Sequence, residues 1–326
     1  MIIPNKLEKG DTVEIISPSR SLNIISEEDI KLSIDRLKQL GLNVIFSKYA
    51  KEKDEFDSSS IESRVNDIHN SFLNKDVKAI LTSIGGFNSN QLLNYLDYKL
   101  IKSNPKILCG YSDITALQNA IYVKTGLVTY SGPHFSTFGM LKGLEYTMEY
   151  FKMCLMKNTS FEINSSKEWS DDLWYKNQND RKFIKNKGFN IINEGEAQGT
   201  IIGGNLCTLN LLQGTEFMPS LKNSILFVED DDESKPQHFD RDIQSVLHLP
   251  DFKYVKALVI GRFQKSSEIK DNKLVKMIKA KKELSAIPVI SNVDFGHTTP
   301  QITFPVGGKL SLVAYKNKVE LNILEH

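Results

Sequence analysis

LTSIGGFNSNQLLNYLDYKLIKSNPKILCGYSDITA, residues 81–116, carries two turns of one kind: an apolar run, a glycine, then a polar residue opening a helical pattern. At the first, Ala79–Ile84 runs into Gly85-Gly86 and then Asn88-Ser89-Asn90-Gln91-Leu92-Leu93. At the second, Ile107–Cys109 runs into Gly110-Tyr111-Ser112-Asp113, and Ile114, Leu117 and Ile121 share one face of the helix that follows. Strand, sharp turn, helix is the setting that lifts a serine hydroxyl above the edge of a parallel sheet. It also aims backbone N–H groups at whatever the serine attacks. The match to a nucleophile elbow is partial, because Ile114 stands where the second glycine belongs. A helix N-cap serine after a glycine-terminated strand fits the same residues.

On the N-terminal side, Thr12–Ser17 reads as a first strand, and Ile30, Ile34, Leu37 and Leu40 repeat at helical spacing until Gly41. Leu42–Phe46 is a second strand, Tyr49–Ser60 a polar loop, and Ile61, Val65, Ile68 and Phe72 mark a helix before the strand Val77–Ile84. With Leu127–Ser131 and the helical run Leu141–Met156, the pattern alternates β and α throughout. That implies a parallel sheet covered by helices on both faces. Ligands on such sheets gather at the C-terminal strand ends, where Gly86 and Ser112 would lie.

Asn164–Lys187 has little apolar periodicity and carries Trp169 and Trp174, so it is expected to be a solvated linker or a mobile loop that touches ligand. The second half mixes its elements. GTIIGG (199–204) leads into a helix through Leu206, Leu209 and Leu212, and Ser224–Val228 is a buried-type strand ending in Glu229-Asp230-Asp231-Asp232-Glu233. A helix around Phe239–Leu249, strand Ala257–Ile260, helix Asn272–Leu284 and strand Val289–Ser291 follow. Lys309–Tyr315 and Lys318–Ile323, joined at Lys316-Asn317, suggest a terminal hairpin.

At 326 residues the chain is expected to hold two domains. Lys plus Arg is 41 against 40 for Asp plus Glu, so no overall field favours nucleic acid. The N-terminus lacks the pattern of a signal peptide, and no uncharged apolar run approaches the roughly 18 residues that span a bilayer. Cys109, Cys154 and Cys207 are widely spaced and odd in number, which suits a reducing cytoplasm and offers no zinc spacing.

A serine nucleophile needs a neighbouring base oriented by a third group, and histidine suits the base because its pKa is near neutrality. His134, after Gly132-Pro133, is one candidate. His297 is the other, in the glycine- and proline-punctuated loop Asp294-Phe295-Gly296-His297-Thr298-Thr299-Pro300. In the acidic run 229–233, one carboxylate could orient the histidine, several together could hold Mg²⁺ or Ca²⁺, or the run is a solvated turn. Arg64 and Arg262 are candidates for a substrate carboxylate, or simply surface or cleft-edge cations.

IGGFNSNQLLNYLDY, ILCGYSDITAL, YSGPHF, GTIIGGNLCTLNLLQGT, ILFVEDDDE, VIGRF and DFGHTTPQITFPVG resemble the successive blocks of the LD-carboxypeptidase family of serine peptidases. They stand in the family's order across nearly the whole chain. The NSNQLL form of the first block and the tryptophan-bearing insert are more similar to the branch of microcin C self-immunity proteins. The peptidoglycan-recycling branch usually has an arginine where this chain has Ile84. The resemblance implies Ser112 as nucleophile, His297 as base and Glu229 as its orienting acid. It also implies an oxyanion hole from the backbone N–H groups of Gly86 and Asp113, with Asn88 and Trp174 touching substrate.

The fold so implied is α/β. Residues 1–160 form a flavodoxin- or Rossmann-like parallel-sheet domain, 161–188 a linker or substrate loop, and 189–326 a mixed α/β domain, with the site in the cleft between them. The expected activity is a cytoplasmic, homodimeric serine carboxypeptidase without metal or cofactor, acting on a small peptide or peptidyl-nucleotide and not on nucleic acid or membrane. Release of terminal D-alanine from a muropeptide is the nearest rival. A non-catalytic nucleotide-binding protein, with Gly85-Gly86 and Gly110 cradling phosphate, is the rival from another class.

Overall fold

The computed structural model describes residues 1–316 and 318–326. Strands β1 (Thr12–Ile16), β2 (Asn43–Phe46), β3 (Val77–Thr82), β4 (Ile107–Gly110) and β5 (Thr129–Ser131) are parallel in the order β5-β4-β3-β1-β2. Helices α1 (Glu27–Gln39), α2 (Ile61–Leu73), α3 (Tyr98–Ser103), α4 (Thr115–Thr125) and α5 (Glu145–Met156) cover them. Side chains alternate across a strand, so Val13, Ile15, Leu81, Ile107 and Cys109 meet α1 and α5 on one face. Ile16, Ile80 and Leu108 meet α2, α3 and α4 on the other. Helix starts follow the sequence: Ser26 Oγ accepts the Asp29 N–H at 3.1 Å and Ser60 Oγ the Ser63 N–H at 3.0 Å. The helix expected after the first glycine pair is shorter than its pattern, a 3-10 turn over Ser89–Leu92.

The chain continues through three short strands, β6 (Phe161–Glu162), β7 (Glu168–Trp169) and β8 (Ile184–Lys185), to β9 (Asn190–Asn193) and β10 (Gly195–Asn205). Helix α6 (Leu206–Asn210), β11 (Ser224–Glu229), α7 (Pro236–Leu247), β12 (Ala257–Gly261), α8 (Asp271–Lys279) and β13 (Val289–Val293) follow. Last come β14 (Phe304–Val306), β15 (Lys309–Tyr315) and β16 (Lys318–Glu325). The second sheet runs β6-β16-β15-β10-β11-β12-β13-β9 and is parallel from β10 to β13. Ile202, Leu226, Val228 and Leu258 pack on α7 and α8. The terminal hairpin is formed by β15 and β16; of its expected joint, Asn317 lies outside the described residues.

Two features were not expected from the pattern. Strand β14 leaves the second half of the chain and pairs antiparallel with β5, Phe304 opposite Ser131 and Val306 opposite Thr129. An edge position tolerates Pro305, which lacks a donor. The pairing ties the segment after His297 to the lobe that carries Ser112. The insert, for its part, is anchored rather than free. β7 and β8 pair, Ser170 and Thr299 exchange backbone hydrogen bonds of 2.7 and 2.8 Å, and Arg181 Nε donates to Asp172 at 2.7 Å. Gln178 Nε2 donates to the Gly139 carbonyl at 2.8 Å, so the insert is held by both lobes. No helix among the described residues is long and apolar enough to cross a membrane.

Candidate active site

At the end of β4 the chain turns so sharply that Ser112 adopts φ 59, the left-handed region that a side chain with a Cβ enters at a cost. A 3-10 turn, Ser112–Ile114, then feeds directly into α4. The Asp113 amide lies at the start of that turn, just after Ser112, where the first N–H groups have no partner inside the helix. The Gly85-Gly86 turn lies alongside. A Cβ on Gly85 would stand 3.0 Å from Ser112 Cβ and 3.1 Å from its Oγ, and a Cβ on Gly86 would strike the Ser19 hydroxyl. A side chain at Gly85 would thus crowd the serine turn, and one at Gly86 would crowd Ser19 and Arg20 in the loop after β1.

Asp113 is itself the clamp between the two turns. Its carboxylate accepts the Ser19 hydroxyl at 2.6 Å and the Ser89 N–H at 2.8 Å, and its carbonyl accepts the Ser89 hydroxyl at 2.6 Å.

The second lobe supplies the rest. Glu229 ends β11, buried, and His297 sits in the loop between β13 and β14. His297 Nδ1 lies 2.7 Å from Glu229 Oε2, and Nε2 lies 3.0 Å from Ser112 Oγ. A carboxylate accepts only, so Nδ1 carries a proton, and when the ring is neutral Nε2 presents a lone pair to the serine hydroxyl. Two glycines make room for the acid: a Cβ on Gly261 would stand 2.7 Å from Glu229 Cβ, and one on Gly296, at φ 98, would stand 2.8 Å from Glu229 Cγ. Burial opposes charge on His297, but the Glu229 carboxylate, its hydrogen bond, Asp231 and Asp230 outweigh it and raise the pKa to about 9. Asp230, buried and crowded by Glu229 and Asp231, is pushed up to about 7.

Ser112, Glu229 and His297 are thus brought together, with Asp113 next to the serine in the chain and Gly85, the residue before Gly86, packed against it. Asn88 and Trp174, expected to touch substrate, stand on the first glycine turn and on the insert. Asn88 is buried: its Nδ2 donates to Ser58 Oγ at 3.0 Å, its Oδ1 accepts Ser19 Oγ at 3.3 Å, and its carbonyl accepts Arg64 Nη1 at 3.1 Å. Trp174 is half-buried on the insert, edge-to-face with Tyr175 at 6.0 Å. The two arginines are not surface cations. Arg64 is spent on the carbonyls of Pro18 and Asn88 and on Gln91, and Arg262 on Asn186, the Asn292 carbonyl and Asp294.

Sequence spacing does not reveal Asn205. Its N–H donates to Thr115 Oγ1 at 2.9 Å and its Nδ2 to Asp230 Oδ1 at 3.2 Å, linking the helix behind the serine to the acidic turn. Its only local signal is that it follows Gly203-Gly204. No group of three or more His, Cys, Asp or Glu side chains is disposed to hold a metal ion among the described residues.

Residues 13–132 match the LD-carboxypeptidase N-terminal domain and residues 198–312 the LD-carboxypeptidase C-terminal domain. The putative carboxypeptidase YocD of Bacillus subtilis is 56% identical over 322 residues, 99% of each chain. The microcin C7 self-immunity protein MccF of Escherichia coli is 33% identical over 320 residues, 94% of this chain and 91% of that one. An MccF-like protein from Bacillus anthracis superposes with a TM-score of 0.99 at 55% identity over the whole of both chains. MccF in complex with aspartyl sulfamoyl adenosine superposes at 0.89 with 30% identity over 100% of this chain and 99% of that one. With both halves matched in order and relatives of this similarity along its full length, the chain belongs to the LD-carboxypeptidase family of serine-type carboxypeptidases, peptidase family S66.

Proposed function

We propose that Ser112 is the nucleophile, His297 the base and Glu229 its orienting acid, and that the bond cut is an amide-type bond joining an amino acid or short peptide to a nucleotide-like group. The reading is carried by one observation: a serine at φ 59 shares a hydrogen bond with one nitrogen of an imidazole whose other nitrogen is held by a buried glutamate. Ser112 Oγ attacks the carbonyl carbon as its proton passes to His297 Nε2. The Gly86 and Asp113 N–H groups receive the oxyanion, each such donor being worth about 3 kcal/mol of barrier. The imidazolium protonates the leaving nitrogen, and a water that gives its proton to the same ring then releases the acyl group.

In this division of labour residues 1–160 supply nucleophile and amides, 189–326 supply base and acid, and 161–188 face the substrate. The nucleotide-like part is supported by MccF, which binds aspartyl sulfamoyl adenosine. Parallel assays on an aminoacyl-sulfamoyl-adenosine and on a muropeptide tetrapeptide test it: turnover of the muropeptide alone would redirect the function to cell-wall peptides.

Trp174 is assigned the nucleobase, on which base–aromatic stacking is worth roughly 1–3 kcal/mol. Trp174→Ala should raise KM for the sulfamoyl-adenosine substrate by about 10- to 100-fold and spare a substrate lacking a base. An equal effect on both would assign the ring to loop packing.

A base must be unprotonated to accept the serine proton. With the His297 pKa raised to about 9, kcat/KM should climb about tenfold per pH unit from 7 and level off above 9. A profile already flat by pH 7 would contradict the charge balance described around the ring. The linked stability term has the opposite sense. A pKa raised from 6.5 to about 9 stabilises the fold fully below 6.5, and that contribution is lost as the pH rises through 9.

A further inference from the structure

Beneath the two turns lies a histidine that the relay does not use. His134 is 2% exposed, and its Nδ1 lies 2.7 Å from Thr82 Oγ1. Its Nε2 has no hydrogen-bond partner among the described residues. The ring stacks on Tyr111 at 4.3 Å between centroids with an interplanar angle of 32°, and Tyr111 in turn meets the His297 ring at 5.3 Å.

Both glycine turns press on this one imidazole. A Cβ on Gly85 would stand 3.3 Å from His134 Nε2 and 3.1 Å from Ser112 Oγ; a Cβ on Gly110 would stand 3.3 Å from His134 Nδ1. The ring therefore fills the space between the turn that carries the Gly86 amide and the turn that carries the Asp113 amide.

We propose that His134 is a positioning residue, whose ring spaces these two turns and so sets the separation of the amides that receive the oxyanion. The inference rests on the roles proposed for Ser112, Gly86 and Asp113. Donors stabilise an oxyanion only when they stand about 2.7–3.1 Å from it, and a displacement of about 1 Å costs on the order of a hundredfold in rate. The strained φ of Ser112 points the same way, because such a conformation persists only where its surroundings over-determine it. The stack of His134 on Tyr111 fixes the residue just before the serine.

An imidazole suits the post better than an apolar ring, since one edge satisfies the buried Thr82 hydroxyl while the other lies against Gly85. Burial, reinforced by the charge on His297, depresses the pKa of His134 to about 3, so the ring stays neutral throughout the working range.

Two variants separate its two edges. The amide of His134→Asn reaches the place of Nδ1 and keeps the Thr82 bond, but leaves the Gly85 side unfilled. The amide of His134→Gln reaches toward Nε2. His134→Asn should lower kcat by at least about 30-fold with KM within about twofold. A peptide boronate, which forms a tetrahedral adduct with the serine, should bind more weakly by the same factor. Substrate affinity measured in a Ser112→Ala background should be unchanged by the added His134→Asn. His134→Gln should recover part of the kcat.

Circular dichroism and fluorophosphonate titration of active sites show that the variant compared is folded. Unchanged kcat and boronate affinity in His134→Asn, or a loss confined to KM, would overturn the proposal. If the wild-type chain is not labelled by the fluorophosphonate, the reading of Ser112 has failed and this inference falls with it; a labelled wild type beside an unaffected His134→Asn overturns the inference alone.

Discussion

Ser112→Ala is expected to lower kcat by about 10⁴- to 10⁶-fold, the scale seen when a relay serine is removed. The fold has little reason to notice. Both side chains carry a Cβ, so the strain at φ 59 is the same, and the hydroxyl has a single protein partner among the described residues, His297 Nε2. Binding should persist as well, because the Gly86 and Asp113 amides and the insert remain, so calorimetry on the inactive variant should return an affinity within a few-fold of wild type. The residual rate would come from those amides acting on attack by water. Near-normal hydrolysis by Ser112→Ala, or undiminished fluorophosphonate labelling, would remove Ser112 from the chemistry and leave its contact with His297 as packing.

That Ser112, His297 and Glu229 could be named as candidates rests on the family resemblance, which chose among alternatives that punctuation alone leaves open. Each stands where an apolar run breaks at a turn: Ser112 after Gly110, Glu229 at the end of a buried strand, His297 after Gly296. The parallel core was legible because the short apolar runs Thr12–Ser17 and Val77–Ile84 and the helical spacing of Ile30 and Leu37 are local properties. What was not legible depends on partners distant in sequence. Phe304–Val306 is too short, and with Pro305 too irregular, to announce an edge strand, and nothing within it names β5 as its partner.

The insert looked free because its anchors, the two-residue pairing of β7 with β8, the backbone bonds between Ser170 and Thr299 and the contact of Arg181 with Asp172, are too short to leave a periodic trace. Arg64 and Arg262 read as substrate-carboxylate anchors or as surface or cleft-edge cations because a charged side chain gives no local sign of the groups that will surround it. His134 was legible as a candidate base from its place after Gly132-Pro133, but its packing against both glycine turns, like the bonds of Asn205 to Thr115 and Asp230, depends on partners that sequence spacing does not carry.

Charge around His297 leads to the sharpest remaining expectation, which concerns Glu229→Gln. The substitution is nearly isosteric, and the space left by Gly261 and Gly296 accepts it. It acts in two directions. Removing the largest opposing charge lets the His297 pKa fall from about 9 back toward 6.5, so more of the base is neutral at pH 7. A base whose pKa lies two units above the pH is only about 1% neutral, so this gain approaches a hundredfold. The same substitution removes the anion that stabilises the imidazolium as it forms, and the amide can hold the ring in the wrong tautomer; together these cost about 10⁴-fold in kcat in a comparable relay.

The net loss in kcat/KM should therefore be about 10⁴-fold on the plateau above pH 9 but only about 10²-fold at pH 7, with the acid limb of the profile displaced downward. Complete pH profiles of both proteins give the answer. A loss that is uniform across pH, with the acid limb unmoved, would mean that Glu229 orients the ring without raising its basicity. No loss at any pH would remove Glu229 from the relay.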